Sequence, residues 1–441
     1  MKYRLIVTLL CLSFVCIYTA SGDNEVVDIQ SYDITLKAEP ENDLLRLNVT
    51  MELTKPDNLD EFMVLLTSYA NIQSIEARDK ISDGGWVNML SRSIEGDTLY
   101  LGVHHDLIYS TELSIRFEYI LGFGDIGDNL ILYREHHWYP MIPGNIALYS
   151  FKAELPDDYT FISTGERGES DNWGEDDDSR VSTSLPVSKF PVIIARKGYY
   201  SKHEIEDEFT HKSLVLYTLS LDNEGQDILG NIVAGLFEYL HDLYGEYRHQ
   251  DLLLIENNDI KGADVSSGMI MFGSHILDGL ANNQPQMLHV AVAQQWFGSG
   301  VFPQYGEKGY CFFGISLPQY LSILYLRDSA DETAFEKEVN AAFSQYKPMA
   351  DSDADMPIIN ITELHSQEKA RIIYGKGPYI FDLIRRELGD REFADFISRL
   401  YKEYNGRILS YSDFLESLRK TDRVKSIAGR IRLMLSTTGM T

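Results

Sequence analysis

The sequence predicts an α+β fold, an N-terminal antiparallel β domain followed by a mostly helical domain, and two changes of pattern lead to it. From about 28 to 200, runs such as "SYDITLKAEP", "LLRLNVTMEL" and "TELSIRFEYI" alternate apolar and polar residues between Asn, Asp and Gly turns, the period of half-buried strands. After "KGYYSKHEIEDEF" apolar residues recur at helical spacing instead. A chain of 441 residues can bury more than one core, and 44% hydrophobic with 12% aromatic residues argues against disorder.

The N-terminus reads MKYR, then the 14 apolar residues LIVTLLCLSFVCIY, then TASGDNE. A basic start, an apolar run and small residues describe a signal peptide over 1–22, cut after Ser21 or Gly22. The run is short of the roughly 20 residues a spanning helix needs, though an uncleaved anchor stays open. The expected location is extracytoplasmic, secreted or anchored at the N-terminus. Cys11 and Cys16 fall in this segment, so Cys311 is left alone and no intrachain disulfide is expected. Asn48-Val-Thr and Asn360-Ile-Thr are sequons open to glycosylation in a host that performs it.

The β domain is expected over 24–203. Its segment "ERGESDNWGEDDDSR", 166–180, reads as a solvated hairpin tip, since its carboxylates lack the spacing of a calcium loop. The second domain is expected over 204–441. Its first helix, 227–247, carries Ile228, Ile232, Leu236, Tyr239, Leu240 and Leu243 as the apolar stripe, and the strand-like "DLLLIE" follows. Further helices are predicted at about 285–297, 316–327, 331–345, 376–388, 391–404 and 411–420, the last with Ser412 as its N-cap.

A formal charge of -28 and a pI near 4.7 repel a phosphate backbone, and no basic stripe offsets this, so no nucleic-acid partner is expected. There is no G-x-S-x-G elbow, and "GFGDIG" precedes no helix and so is no nucleotide loop.

In "QPQMLHVAVAQQWFGSGV", 284–301, Pro285 suits a first helical turn, and positions 290, 291 and 294 stand at i, i+1 and i+4. Two histidines at i and i+4 with a glutamate after the first make the H-E-x-x-H zinc site. Here the three positions hold Val290, Ala291 and Gln294.

The text around that gap resembles the gluzincin zinc aminopeptidases, the family of membrane alanyl aminopeptidase and leukotriene hydrolase. "QWFG", 295–298, is similar to the H-Q-W-F-G end of the family's zinc helix. "KGADVSSGMIMF", 261–272, is similar to its G-A-M-E-N-W-G-L-I strand, with Gly262, Ala263 and Gly268 in register. "IIYGKG", 372–377, resembles its Y-x-K-G, "LYGEYRHQDLLLIE" the entry to its catalytic domain, and "HHWYPMIPG", 136–144, the end of its β domain. The resemblance implies a thermolysin-like second domain, without the long C-terminal helical-repeat domain of many members.

Residue by residue, the resemblance implies lost chemistry. The zinc histidines fall on Val290 and Gln294, the general base on Ala291, and the amine-binding glutamate on Val265. The third ligand falls on Lys308, with Glu307 as the fallback; Tyr374, at the oxyanion-stabilising tyrosine, is retained. No pair of the eleven histidines is spaced H-x-x-x-H. His104/His105 and His136/His137 lie in strand-like text, where neighbours point to opposite faces. The expectation is therefore a pseudoenzyme with no metal and no other cofactor, binding a peptide or protein. Two alternatives stand beside it: an active metallo-aminopeptidase using a displaced site, for instance His275, His289 and His365 brought together, and a structural or adhesion protein that works through its surface. Ligand, partner and oligomeric state are open.

Overall fold

The computed structural model describes residues 27–82, 84–123, 127–133, 136–169, 176–206, 212–282, 285–350, 352–421 and 428–439. The signal segment and the hairpin tip at 170–175 lie outside them.

The N-terminal domain is built on an eight-stranded sheet in the order 166–169, 176–182, 148–154, 28–39, 44–54, 112–122, 70–79, 87–88. The strand Asp28–Glu39 pairs parallel with Leu148–Glu154 and antiparallel with Leu44–Thr54. That register sets Ile34 opposite both Phe151 and Val49, and Val49 opposite Phe117. Because side chains alternate faces, Tyr32, Ile34 and Leu36 all point inward and are buried. Two three-stranded sheets, one from 61–65, 98–102 and 90–95, the other from 129–132, 159–163 and 192–196, close the same core. The segment "HHWYPMIPG" completes it: Trp138 and Tyr139 are buried, and the Tyr119 hydroxyl donates to the Trp138 carbonyl at 2.7 Å. Strands 166–169 and 176–182 pair antiparallel, as a hairpin requires.

His136 and His137 are in a turn and not in a strand; His137 has φ of 44° and its Nδ1 meets Asp97 Oδ2 at 2.8 Å. His104 and His105 are likewise not on opposite faces. His104 caps a short 3-10 turn over His105–Leu107, and the two rings lie 4.2 Å apart.

The second domain opens with a five-stranded sheet in the order 201–206, 213–218, 251–256, 269–272, 263–266. Ser201–Glu206 pairs with Ser213–Thr218, so the expected boundary at 203/204 falls inside a strand of this sheet. Ten helices follow among the described residues: α1 (Asn223–Tyr244), α2 (Ser274–Ala281), α3 (Gln286–Ala293), α4 (Leu317–Ser329), α5 (Glu332–Tyr346), α6 (Gln367–Arg371), α7 (Gly377–Leu388), α8 (Asp390–Tyr404), α9 (Tyr411–Lys420) and α10 (Ala428–Ser436). None of them is long and apolar enough to cross a membrane.

Helix α1 starts where the Asp222 carboxylate accepts from the Gly225 N–H at 2.9 Å and stops at Gly245, whose φ of 129° no other residue adopts readily. Its buried face is Leu229, Val233, Leu236, Phe237, Leu240 and Tyr244, offset from the predicted stripe; Ile228 and Leu243 are exposed. A helix this apolar offers two overlapping stripes, and the sheet beneath selects one. The N-cap of α9 is Ser410 and not Ser412: Ser410 accepts from the Asp413 N–H while Asp413 accepts from the Ser410 N–H, a complete capping box.

Candidate functional site

Helix α3 ends at Gln294, and the chain then turns tightly through the Q-W-F-G segment. Gln295 is fully buried and uses its whole amide. Its Nε2 donates to the carbonyls of Ser266 at 2.9 Å and Met269 at 3.3 Å, and its Oε1 accepts from the Gly268 N–H at 3.0 Å and the Tyr247 hydroxyl at 3.3 Å. One side chain thus clamps the 263–272 hairpin, whose turn needs Gly268 at φ +79° with no room for a Cβ beside Thr164 Oγ1. Trp296 donates from Nε1 to the Gly245 carbonyl at 3.0 Å and packs edge-on against Phe237. Gly298, at φ +137°, donates to the Val301 carbonyl and closes the turn. Phe297 is buried with its ring edge-on to Tyr401, so every residue of Q-W-F-G has a structural task.

The other half of the motif faces differently. Ala291 is core, Val290 is half-buried, and Gln294 donates from Nε2 to the Gly314 carbonyl at 2.9 Å across to the next helix. Gln294 and Val265 border a cleft between the two domains, with Gly144, Ser188 and Lys189 contributed by the β domain. Its volume is about 190 Å³ on the scale where one water needs roughly 10–15 Å³. The far wall is apolar and aromatic, including Phe302, Tyr305, Tyr310 and Ile315. Gly144, at φ +83°, is one of the places where the domains touch closely: a Cβ there would lie 2.8 Å from Tyr305 Cβ. Lys189 is held by Asp264 at 3.1 Å. Neither the lysine nor the tyrosines had a sequence signal; only the domain contact brings them here.

Lys308 and Glu307 do not reach this cleft. Both are exposed, in the turn before Gly309, and the segment across from Gln294 is the helical run from Tyr310 to Ser316. It is the carbonyl of Gly314, and no side chain at 307 or 308, that meets Gln294.

That run contains a π-helical turn, Phe312–Ser316, and it packs against a second one, Ile372–Lys376, which carries Tyr374. Ser316 Oγ donates to the Ile373 carbonyl at 2.7 Å, and Gln319 Nε2 to the Tyr374 carbonyl at 3.0 Å, serving carbonyls that a wider turn frees. A Cβ at Gly377 would fall 2.0 Å from Ser316 Oγ, so the two turns touch only because that residue is glycine. Tyr374 is 36% exposed; partial burial raises its phenol, and the Cys311 sulfur adds to the rise. Cys311 itself borders the cleft at 2% exposure, its thiol pushed up to about 12 by burial. Lys376 is completely buried, donates to the Thr437 carbonyl at 2.8 Å, and has its ammonium pKa lowered by burial.

A zinc ion needs imidazole, thiolate or carboxylate donors, at least three from the protein at a catalytic site. Among the described residues the cleft lining offers one buried thiol, no imidazole and no carboxylate, so the residues present do not fit that ion. His275, His289 and His365 do not supply the set elsewhere. His289 is buried edge-on to Tyr325, His365 pairs with Glu363 at 2.9 Å, and His275 is exposed. Among the described residues the three-donor group is His104, His105 and Asp106, in the other domain.

No family model and no curated protein matches the sequence. Solved structures do. The M1 zinc metallopeptidase of Deinococcus radiodurans, as a glutamate-to-alanine variant bound to a Tyr-Ser-Ala substrate, superposes with a TM-score of 0.72 at 13% identity, over 94% of this chain and 95% of that one. Yeast LTA4 hydrolase superposes with a TM-score of 0.74 at 14% identity, over 94% of this chain and 68% of that one. The chain has the M1 metallopeptidase fold. Several of the segments that resemble the family in sequence pack around the cleft, among them the Q-W-F-G turn, the 263–272 hairpin and the π turn of Tyr374, which packs against the π turn 312–316.

Proposed function

We propose that this M1-fold protein is an exported pseudoenzyme that binds a peptide or protein segment in the interdomain cleft and does not hydrolyse it. The observation that carries the reading is the split in one motif. Gln295, Trp296 and Gly298 make the hydrogen bonds that close and anchor the helix end, while positions 290, 291 and 294 hold two aliphatic residues and an amide turned to a backbone carbonyl. Selection for a shaped cleft without selection for a metal yields that combination.

Peptide is the ligand class that the Deinococcus neighbour supports, since it holds Tyr-Ser-Ala. The electrostatics of this cleft favour a ligand without a free amine. Val265 stands at the hairpin position where the family has its amine-binding glutamate, and the lining cation Lys189 has Asp264 as its partner. A peptide ammonium entering here would lose water and find no lining carboxylate.

The test pairs two measurements on the full chain. Titration with Tyr-Ser-Ala and its N-acetylated form, followed by calorimetry, is expected to favour the acetylated peptide. Incubation with zinc and aminoacyl-aminomethylcoumarins is expected to give no turnover. Zinc-dependent turnover, or zinc-dependent binding of the free amine, overturns the proposal in favour of a metallo-aminopeptidase.

A further inference from the structure

We propose that His104, His105 and Asp106 form a surface site for a divalent transition metal of the zinc class, in the β domain and apart from the cleft. The three residues follow the strand Thr98–Gly102, on the connection to Glu112–Gly122, and none of them lines the cleft. The Asp106 carboxylate sits between the two imidazoles: Oδ1 is 3.2 Å from His105 Nε2 and Oδ2 is 3.5 Å from His104 Nδ1. One donor atom from each of the three residues lies within 4.8 Å of the other two. A tetrahedral zinc with bonds of about 2.0–2.2 Å has its donors roughly 3.3–3.6 Å apart. Each imidazole already meets one oxygen of the Asp106 carboxylate at about that spacing, Oδ1 for His105 and Oδ2 for His104.

The backbone that carries the donors is held in place, which separates this group from a chance meeting of exposed side chains. His104 accepts from the Asp106 N–H at 3.3 Å and its carbonyl accepts from the Leu107 N–H at 2.8 Å; Leu107 is buried beneath. Lys55 donates to the Ile108 carbonyl at 2.7 Å from the other side. Only the donor ends are free: His105 and Asp106 are 79% and 64% exposed, so water can take the remaining coordination position. A metal bound through His104 Nδ1 displaces a single long hydrogen bond, from the Asp106 N–H. Two imidazoles and one carboxylate suit zinc, nickel or copper, and not magnesium or calcium, which take oxygen donors. The net charge of -28 also draws cations to the surface.

The experiment is calorimetric titration of the full chain with zinc chloride in a non-coordinating buffer at pH 7.5, for the wild type, His105→Ala, Asp106→Asn and, as the cleft control, Gln294→Ala. The expected result is a zinc equivalent that disappears in His105→Ala and Asp106→Asn and persists in Gln294→Ala. Cobalt in place of zinc is expected to give visible absorption bands of a tetrahedral nitrogen–oxygen site, lost in His105→Ala. His105 is largely exposed, so that variant keeps the fold, which circular dichroism checks. No zinc bound by the wild type, zinc retained by both site variants, or zinc lost only in Gln294→Ala overturns the assignment. The outcome is independent of peptide binding in the cleft, and it decides what a bare measurement of metal content on this protein means.

Discussion

Replacing Gln295 tests whether the Q-W-F-G turn after α3 is a clamp. Its amide makes four hydrogen bonds inside a fully buried site, two through Nε2 to Ser266 and Met269 and two through Oε1 from Gly268 and Tyr247. At roughly 1 kcal/mol net for each, and with a cavity left behind, Gln295→Ala is expected to cost about 3–5 kcal/mol, a large part of a typical 5–15 kcal/mol stability. Gln295→Glu separates the two causes, because it preserves volume while setting an oxygen against the Ser266 and Met269 carbonyls. Only a protonated Glu could donate to one of them, so its folded pKa is raised above the unfolded value of about 4.3. The sign follows: the variant is closest to wild type below that value and loses stability as pH rises through the folded pKa. The assay is urea unfolding followed by tryptophan fluorescence, at pH 5 and pH 8, with acetyl-Tyr-Ser-Ala binding measured alongside, because the clamped hairpin delivers Val265 to the cleft. A cost under about 1 kcal/mol for Gln295→Ala, or a Gln295→Glu variant no less stable at pH 8 than at pH 5 relative to wild type, refutes the clamp.

Two further expectations rest on burial. The Cys311 thiol, pushed up to about 12, should resist Ellman's reagent in the folded chain at pH 8 and react once the chain is unfolded in urea; reaction at the same rate in both states would contradict the packing described. His289, lowered to about 4 by burial, is neutral in the fold and protonates in the unfolded chain near 6.5, so stability is lost as pH falls from about 6.5 toward 4. By pH 5 this amounts to about 2 kcal/mol, and a His289→Phe variant should show a shallower loss between pH 7 and pH 5 in the same unfolding assay, an unchanged slope being the refuting result. His249, lowered to about 3, adds to the acid sensitivity in both proteins and leaves the difference readable.

What the sequence made legible, and what it did not, follows from the range of each interaction. The two-domain α+β order, six later helices and the "DLLLIE" strand are written in periodicity, and periodicity is local. The Ser410 cap was misplaced by two residues because "SYSDFLESL" has two serines, and only the reciprocal bond with Asp413 distinguishes them. The α1 stripe was right only in part for a different reason: the expected Leu236 and Leu240 are buried and Ile232 and Tyr239 pack on the core, but Ile228 and Leu243 are exposed where Leu229, Val233 and Phe237 are buried, and that choice belongs to the sheet and not to the helix. Strand-like text misled at His104 and His136 because polar turn residues alternate by accident. The candidate site divides along the same line. Val290, Ala291 and Gln294 were singled out by one spacing, whereas the lining residues Lys189, Tyr305 and Ile315 come from three separate segments and carry no motif. Lys308 shows the cost of extending a pattern across a loop, since it was matched by its neighbouring glycine while the helix that faces Gln294 starts only at Tyr310. The letters of one helix end answer to different physical demands. In this chain Gln295, Trp296 and Gly298 answer to the stability of the domain, through the hydrogen bonds that close the helix end, whereas the side chains of Val290, Ala291 and Gln294 make none of those bonds.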